Sequence, residues 1–430
     1  MESSLSERDK KVIWHPYTQH KNMLPPIAIA HANGALLFDE SGKNYIDAIS
    51  SWWVNIHGHA HPYIAEKIYE QARKLEQVIF TGFTHEPAVL LAERLMNILP
   101  GDFSKIFYSD NGSTAVEVAI KMAIQFWRNT FAAGSMPNSS RKKILAFRNA
   151  YHGDTFGAMS ISERSVFTAS FNDYLFEVIF IDTPTKGNID DIKKVIRENA
   201  AAIAGFIYEP VLQGAGGMKM YDTFLFDELL AEIKSLNIIC IADEVMTGFG
   251  RTGKPFACDF MENKPDIICL SKGLTGGTMA LSITAASEKI FEAFVSDDRT
   301  KTLFHGHSFT ANPVACSAAL ASLDLFEKEA CQKQIKSISM LQEQFCARLQ
   351  KSHNHLQVKN IRCLGTIAAF EIEEGSDGYL NNVSSTITQR ALENGIYLRP
   401  LGNTVYILPP YCITEKQLNQ VHEFLFDFLQ

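Results

Sequence analysis

Long apolar runs are missing from this chain of 430 residues: no uninterrupted one approaches the roughly 20 residues that a membrane-spanning helix requires. The opening stretch, 1–17, is polar and lacks the apolar core of a secretory signal, so a cytoplasmic protein is expected. Cysteine is absent before Cys240. All eight, Cys240 included, stand singly, mostly among apolar neighbours and without a CxxC pair, which speaks against a disulfide framework and reads as reduced core thiols. Charge is modest, 20% of residues with a formal net charge of -8, and the two signs are interspersed; no nucleic-acid stripe or polybasic membrane patch is present. No internal repeat or low-complexity tract breaks the sequence. What is there is 46% hydrophobic, enough for a soluble globular protein with one large core and a smaller second lobe.

Between about residues 60 and 330, short apolar β-rich runs alternate with helical stretches: 106–108, 144–147, 178–181, 203–208, 238–242, 267–270 and 281–285. Such alternation predicts an α/β fold with a mostly parallel central sheet covered by helices on both faces, whose ligands bind at the carboxyl ends of the strands. After Asn312-Pro313 the pattern is helical over 314–328 and 335–349. The tail adds a strand over 366–372, a helix near 385–393 and an amphipathic helix from Glu415. The expected organisation is an N-terminal segment, 1–60, packed with the small lobe, then a large domain, 61–330, and a C-terminal small α/β domain, 331–430.

Two of those strand ends carry complementary groups. The run 238–242 delivers Asp243, and 267–270 delivers Ser271-Lys272 onto a turn rich in glycine (Gly273, Gly276, Gly277). A lysine there is accessible yet desolvated, which are the two properties of a Schiff-base lysine: it must reach a carbonyl and lose its proton near neutral pH. An aspartate to partner a pyridinium nitrogen completes the minimal pyridoxal 5'-phosphate constellation. Alone, the pair also fits a solvated lysine and a turn cap.

Other motifs each have a plain alternative. Ser109-Asp110-Asn111-Gly112-Ser113-Thr114 leads into a helical pattern (Ala115, Ala119, Met122, Phe126), so its amides and dipole form an anion site, or simply an N-cap. Tyr151 in Tyr151-His152-Gly153-Asp154 follows a strand and offers a face to a flat ring. Glu209-Pro210 ends another strand at the same edge. Gly248 to Gly253 matches G-x-G-x-x-G, and Gly248 to Lys254 resembles a Walker loop, but no amphipathic helix opens there and Pro255 stands where Ser or Thr is required. Arg251 is then a substrate-facing or structural cation. His57, His59 and His61 could suggest zinc, but no cysteine or acidic ligand set accompanies them, and no metal is expected. In an extended segment, Trp52 and Trp53 cannot both point into the core, so one is expected at a pocket. Arg399 is a surface charge or a fork for a carboxylate.

The order of these motifs resembles the class III aminotransferases of fold type I, over nearly the whole chain. The matching stretches include WHPYTQ, SSWWVNIHGHAHP, NGSTAVEVAIKMA, YHGDTFGAMS, EPVLQGAGGM, ADEVMTGFGRTGKPFAC, SKGLTGG and HGHSFTANPVACSAA. The resemblance implies pyridoxal 5'-phosphate as cofactor. Lys272 would bind it covalently and shuttle the proton, and Asp243 would keep its ring nitrogen protonated. Gly112 and Ser113 would hold the phosphate, Tyr151 would stack on the ring, and Ser308 would reach the phosphate of the neighbouring subunit of a homodimer. Tyr17, Trp52, Trp53, Tyr151, His307 and Arg399, with Arg251 nearby, would line the substrate pocket, and Tyr17 would also take part in catalysis. The tandem tryptophans and the early HPY are similar to the branch that uses S-adenosylmethionine as amino donor and 8-amino-7-oxononanoate as acceptor in biotin biosynthesis. Other branches acting on a diamine, ornithine or a β-amino acid, and lysine as the donor, are the alternatives. Ser308 stands where many relatives have Thr, and Leu401 where some have Phe.

Overall fold

The computed structural model describes residues 4–130, 141–352, 356–373 and 383–430. At its centre is a seven-stranded sheet: β1 (Lys105–Ser109), β2 (Lys143–Phe147), β3 (Val178–Ile181), β4 (Ile203–Tyr208), β5 (Ile239–Asp243), β6 (Ile267–Leu270) and β7 (Ser282–Ala286). Their order across the sheet is β1-β7-β6-β5-β4-β2-β3. All strands run parallel except β7, which is antiparallel to both β6 and β1. Each apolar run read from the sequence forms a strand within one residue of its expected ends. Periodicity carries no information on strand direction, so the reversal of β7 appears only in the fold.

Central strands are buried on both faces, as parallel strands under helices must be. Side chains alternate between two cores. Ile239 and Ile241 of β5 pack on the face covered by helix α1 (Gly112–Thr130), together with Ala115, Ala119 and Phe126. Cys240 and Ala242 pack on the opposite face, with Phe226, Leu229 and Ile233 of the helix Thr223–Ser235.

The chain ends meet in a second region. Strands Ile29–Asn33, Leu36–Asp39 and Asn44–Asp47 form a sheet whose fourth member is Ile396–Tyr397, with Ile396 opposite Ile46. Beside it, Val358–Leu364, Ile367–Ile372 and Thr404–Ile407 make a three-stranded sheet. It packs on the long helix Glu329–Ser352, where Phe345 stacks on His422 of the last helix at 4.3 Å. Of the expected core thiols, Cys412 lies at the surface, and Cys331 and Cys363 are partly exposed.

The tandem tryptophans are not extended. They sit in a tight turn, Ser50–Trp53, in which Ser50, Ser51 and Trp53 all have positive φ (54°, 61° and 68°). Non-glycine residues adopt this region only when their surroundings impose it, at about 1–3 kcal/mol each. The buried Asp47 carboxylate imposes it: Ile49 N–H donates to Oδ1 (3.1 Å), Ser51 N–H to Oδ2 (2.6 Å), and His59 Nε2 lies 2.7 Å from Oδ2. From the other end of the chain, the Leu408 carbonyl accepts Ser50 Oγ at 2.8 Å. Asp47→Ala removes three partners at once and is expected to destabilise the protein by about 3 kcal/mol. Thermal unfolding and tryptophan fluorescence check this; an unchanged midpoint and spectrum would show that the turn stands without the carboxylate.

Candidate active site

A chamber of about 600 Å³ opens at the carboxyl edge of the large sheet, and the strand ends supply its chemistry. Gly112 and Ser113 follow β1, Tyr151 follows β2, Glu209 follows β4, Asp243 closes β5, and Lys272 follows β6. The other wall comes from the chain ends: Tyr17, Trp52 and Trp53 from one, Arg399 and Tyr406 from the other.

Lys272 begins a short 3-10 turn with φ of 45°, and its Nζ lies 4.8 Å from the centroid of the Trp53 ring. Burial lowers its pKa to about 8, while Asp243 and Glu209 oppose the shift by favouring the ammonium. Asp243 is itself buried, and its Oδ1 accepts Val245 N–H at 3.1 Å. Its Oδ2 lies 2.7 Å from His152 Nδ1. A carboxylate only accepts, so Nδ1 carries a proton, and Nε2 is buried and without a partner among the described residues. Glu209 accepts from Gly214 N–H (2.9 Å) and Tyr151 N–H (3.1 Å), yet burial still pushes its carboxyl up to about 7. His152 was invisible as a partner in the sequence. Glu209 was placed at a strand end there without a role.

The opposite end of the chamber is built for an anion. Asn111 Oδ1 accepts Thr114 N–H at 3.0 Å, and Gly112 opens the 19-residue helix α1. A Cβ at Gly112 would lie 2.7 Å from Val245 Cγ1, so only glycine brings the backbone this close. Ser113 Oγ accepts Asp154 N–H at 3.3 Å, and Gly153, with φ of 133°, leaves room for that serine. An amine of lowered pKa, a buried carboxylate and a helix N-terminus in one chamber fit pyridoxal 5'-phosphate in donor and acceptor chemistry.

Aromatic rings shape the mouth. Tyr17 OH lies 3.1 Å from Tyr151 OH and also bonds Asp154, while the Tyr17 ring meets Trp52 at 5.6 Å and Phe167 at 5.8 Å. Trp53 Nε1 donates to Tyr406 OH at 2.9 Å. Both tryptophans therefore reach the chamber, and each faces a cation: the Arg399 guanidinium lies 4.6 Å from the Trp52 ring. Asp154, Phe167 and Tyr406 were not singled out as site residues; the only signal was Asp154, in a tetrad after a strand.

Three expected residues stand elsewhere. Arg251 is fully buried behind the turn, donating to the carbonyls of Pro409 (2.9 Å) and Trp53 (3.3 Å), so it is a structural cation and does not face substrate. The glycine motif around it runs as turns, with Gly250 N–H bonded to Pro255 O, and opens no helix. His307 and Ser308 do not line the chamber of their own chain; Ser308 is exposed and its carbonyl accepts Gln77 Nε2 at 2.7 Å. In the histidine cluster, His57 Nε2 is bonded to the Ser322 carbonyl (2.9 Å) and His59 to Asp47, so the two rings serve separate partners.

Residues 17–429 match the family model for aminotransferase class III. An adenosylmethionine-8-amino-7-oxononanoate aminotransferase of Synechococcus elongatus is 45% identical, over 97% of this chain and 98% of its own. The crystal structure of the enzyme of that name from Methanocaldococcus jannaschii superimposes with a TM-score of 0.92 at 35% identity, covering 99% of this chain and 98% of that one. An omega transaminase of Pseudomonas jessenii in complex with PMP gives 0.90 at 27% identity, covering 99% and 97%. With a lysine, an aspartate and a helix N-terminus converging at the strand ends, the chain belongs to the class III aminotransferases.

Proposed function

We propose that the protein transfers the amino group of S-adenosylmethionine to 8-amino-7-oxononanoate, forming 7,8-diaminononanoate in biotin biosynthesis, with pyridoxal 5'-phosphate bound in the chamber. The observation that carries this reading is full-length likeness, at 45% identity, to a relative with that printed name. The two cation-facing tryptophans around the chamber agree with it. Pyridoxal 5'-phosphate, when bound, supplies an aldehyde that accepts an amino group and a ring that draws electrons from the reacting carbon.

The rest falls to side chains. Gly112 and Ser113 at the start of α1 hold the phosphate, and Tyr151 covers the ring. Asp243, buried and steadied by His152, holds a proton on the pyridine nitrogen by electrostatics that water would otherwise weaken. Lys272 Nζ, whose lowered pKa of about 8 leaves part of it unprotonated near neutral pH, takes the proton from the donor's Cα and returns one in the second half of the cycle. Arg399, fixed over Trp52, offers its planar fork to a substrate carboxylate. Tyr17, bonded to Tyr151 and Asp154, closes the mouth against water and orients the amino group.

Mass spectrometry of the holoenzyme supplied with 8-amino-7-oxononanoate is expected to show diaminononanoate with S-adenosylmethionine and none with lysine. Turnover with lysine alone would reassign the donor. Turnover only with another acceptor would overturn the reading.

The rate at which the apoenzyme bonds pyridoxal 5'-phosphate at Lys272 should depend on the neutral amine, so it rises as pH increases through about 8. Stopped-flow absorbance measures the midpoint. One in the ordinary lysine range would remove burial as the cause.

The protein is further proposed to be a homodimer with composite sites, Ser308 and His307 serving the partner's chamber. Phe304 and Phe309, which flank them, are 77% and 64% exposed, as an apolar surface awaiting a partner would be. Mixing Lys272→Ala with Ser308→Ala under subunit exchange should therefore yield hybrids with one intact site, and activity above either parent. Activity no higher than the mean of the parents, with exchange verified by mass, would sink the shared site.

A further inference from the structure

Cys346 and Cys363 stand on different elements, the helix Glu329–Ser352 and the strand Val358–Leu364, and meet where that helix packs on the three-stranded sheet. Two side chains one helical turn apart hold the junction: Gln342 Nε2 donates to the Thr366 carbonyl at 3.0 Å, and Cys346 Sγ donates to the Arg362 carbonyl at 3.6 Å. Cys363 is the next residue. Side chains alternate along a strand, so Arg362 turns toward the large domain, its Nε donating to the Met218 carbonyl at 2.8 Å, while Cys363 faces the helix. There its sulfur shares a hydrogen bond with the Cys346 thiol. Access separates the two: Cys346 is buried, whereas Cys363 is partly exposed. Acidity separates them too. The surroundings push the thiols of the other seven cysteines up. Cys363 alone is pushed down, by the hydrogen bond from Cys346, which steadies its thiolate against burial and the Glu343 carboxylate.

We propose that Cys346 and Cys363 are a redox-modifiable dithiol, a site of reversible exchange with low-molecular-weight disulfides such as oxidised glutathione. The exposed thiol attacks and the buried one resolves. The Cys363 thiolate bonds one sulfur of the glutathione disulfide, whose S–S bond breaks, and the departing glutathione thiolate takes up the proton that Cys363 released. Capping Cys363 removes the group that contributed most to holding the proton on Cys346, so the buried thiol becomes a nucleophile at that point. Cys346 then attacks Cys363 Sγ and expels the second glutathione, which leaves with the Cys346 proton. Two protein thiols are oxidised to one disulfide, one glutathione disulfide is reduced to two thiols, and no other oxidant is consumed. Filling the core as small apolar side chains accounts for the fully enclosed Cys240 and Cys269, but it calls for neither an exposed sulfur nor two sulfurs in contact. Neither Cys346 nor Cys363 lines the chamber, so the site is separate from transamination.

In the test, fully reduced holoenzyme is treated with oxidised glutathione, its remaining thiols are alkylated, and its peptides are mapped by mass. The expected product is a Cys346–Cys363 disulfide, lighter than the reduced pair by two hydrogens and reopened by dithiothreitol. In Cys346→Ala nothing resolves the first step, so glutathione stays on Cys363. In Cys363→Ser the attacking thiol is gone, so Cys346 stays reduced in the folded protein. Phenylarsine oxide, which bridges two adjacent thiols, should bind this pair in the wild type and in neither variant. The wild type alone supplies a further readout: at neutral pH iodoacetamide should alkylate Cys363 at least about tenfold faster than the more exposed Cys412, whose thiol is pushed up to about 11. Glutathione on Cys412 with the pair left reduced overturns the proposal. A Cys346–Cys363 bond that forms only in denaturant overturns it as well, as does alkylation of Cys412 ahead of Cys363.

Discussion

Parallel pairing of β5 with β6 sets Asp243 opposite Cys269, three residues before Lys272, so a carboxylate and an amine leave the sheet at the same edge. Neither can turn to bulk water, because helices cover both faces of the strands that carry them. Desolvation penalises the charged lysine and makes it a base near neutral pH, while Asp243 and Glu209 limit how far the shift goes. The same low dielectric strengthens the contact between Asp243 and His152, which fixes the direction of the carboxylate. Chemistry at this edge therefore follows from how the sheet is buried.

A sheet edge has no lid of its own. The second wall is a turn of four residues held in a strained conformation by Asp47 from below and by the Leu408 carbonyl from the opposite end of the chain. Arg251 adds a third tie, joining the Trp53 carbonyl to that of Pro409. Burying a guanidinium is costly unless its protons find acceptors, and two main-chain carbonyls with the Tyr411 ring supply part of that compensation, while Arg251 Nε has no partner among the described residues. The strain presents Trp53 to Lys272 and Trp52 to Arg399, the two cations of the chamber. A relaxed turn would lose both contacts together.

The mouth is as mixed in origin as the wall. Tyr17 comes from the first twenty residues, Tyr151 and Asp154 from the loop after β2, and Arg399 from the tail, yet all four line one chamber. Hydroxyl, carboxylate and guanidinium groups then surround a space walled by aromatic rings. Such a surface accommodates a carboxylate at one point and an amino group at another without repacking.

What the sequence by itself determined is what short-range patterns control. Alternating apolar runs specified the seven strands of the large sheet to within a residue, since burial on both faces demands continuous β-branched or aliphatic side chains. Those same runs identified the strand ends where Gly112, Ser113, Tyr151, Asp243 and Lys272 emerge. Contacts across hundreds of residues were decided only by the tertiary structure: His152 against Asp243, Trp53 against Tyr406, and the reversed direction of β7. Arg251 shows the boundary most clearly. Its neighbours in sequence fit a substrate-facing or a structural cation equally well, and only the carbonyls of Pro409 and Trp53, brought together by long-range packing, made it structural. Periodicity reports which face of an element avoids water; it carries no record of which distant group will satisfy a polar atom once that face is buried.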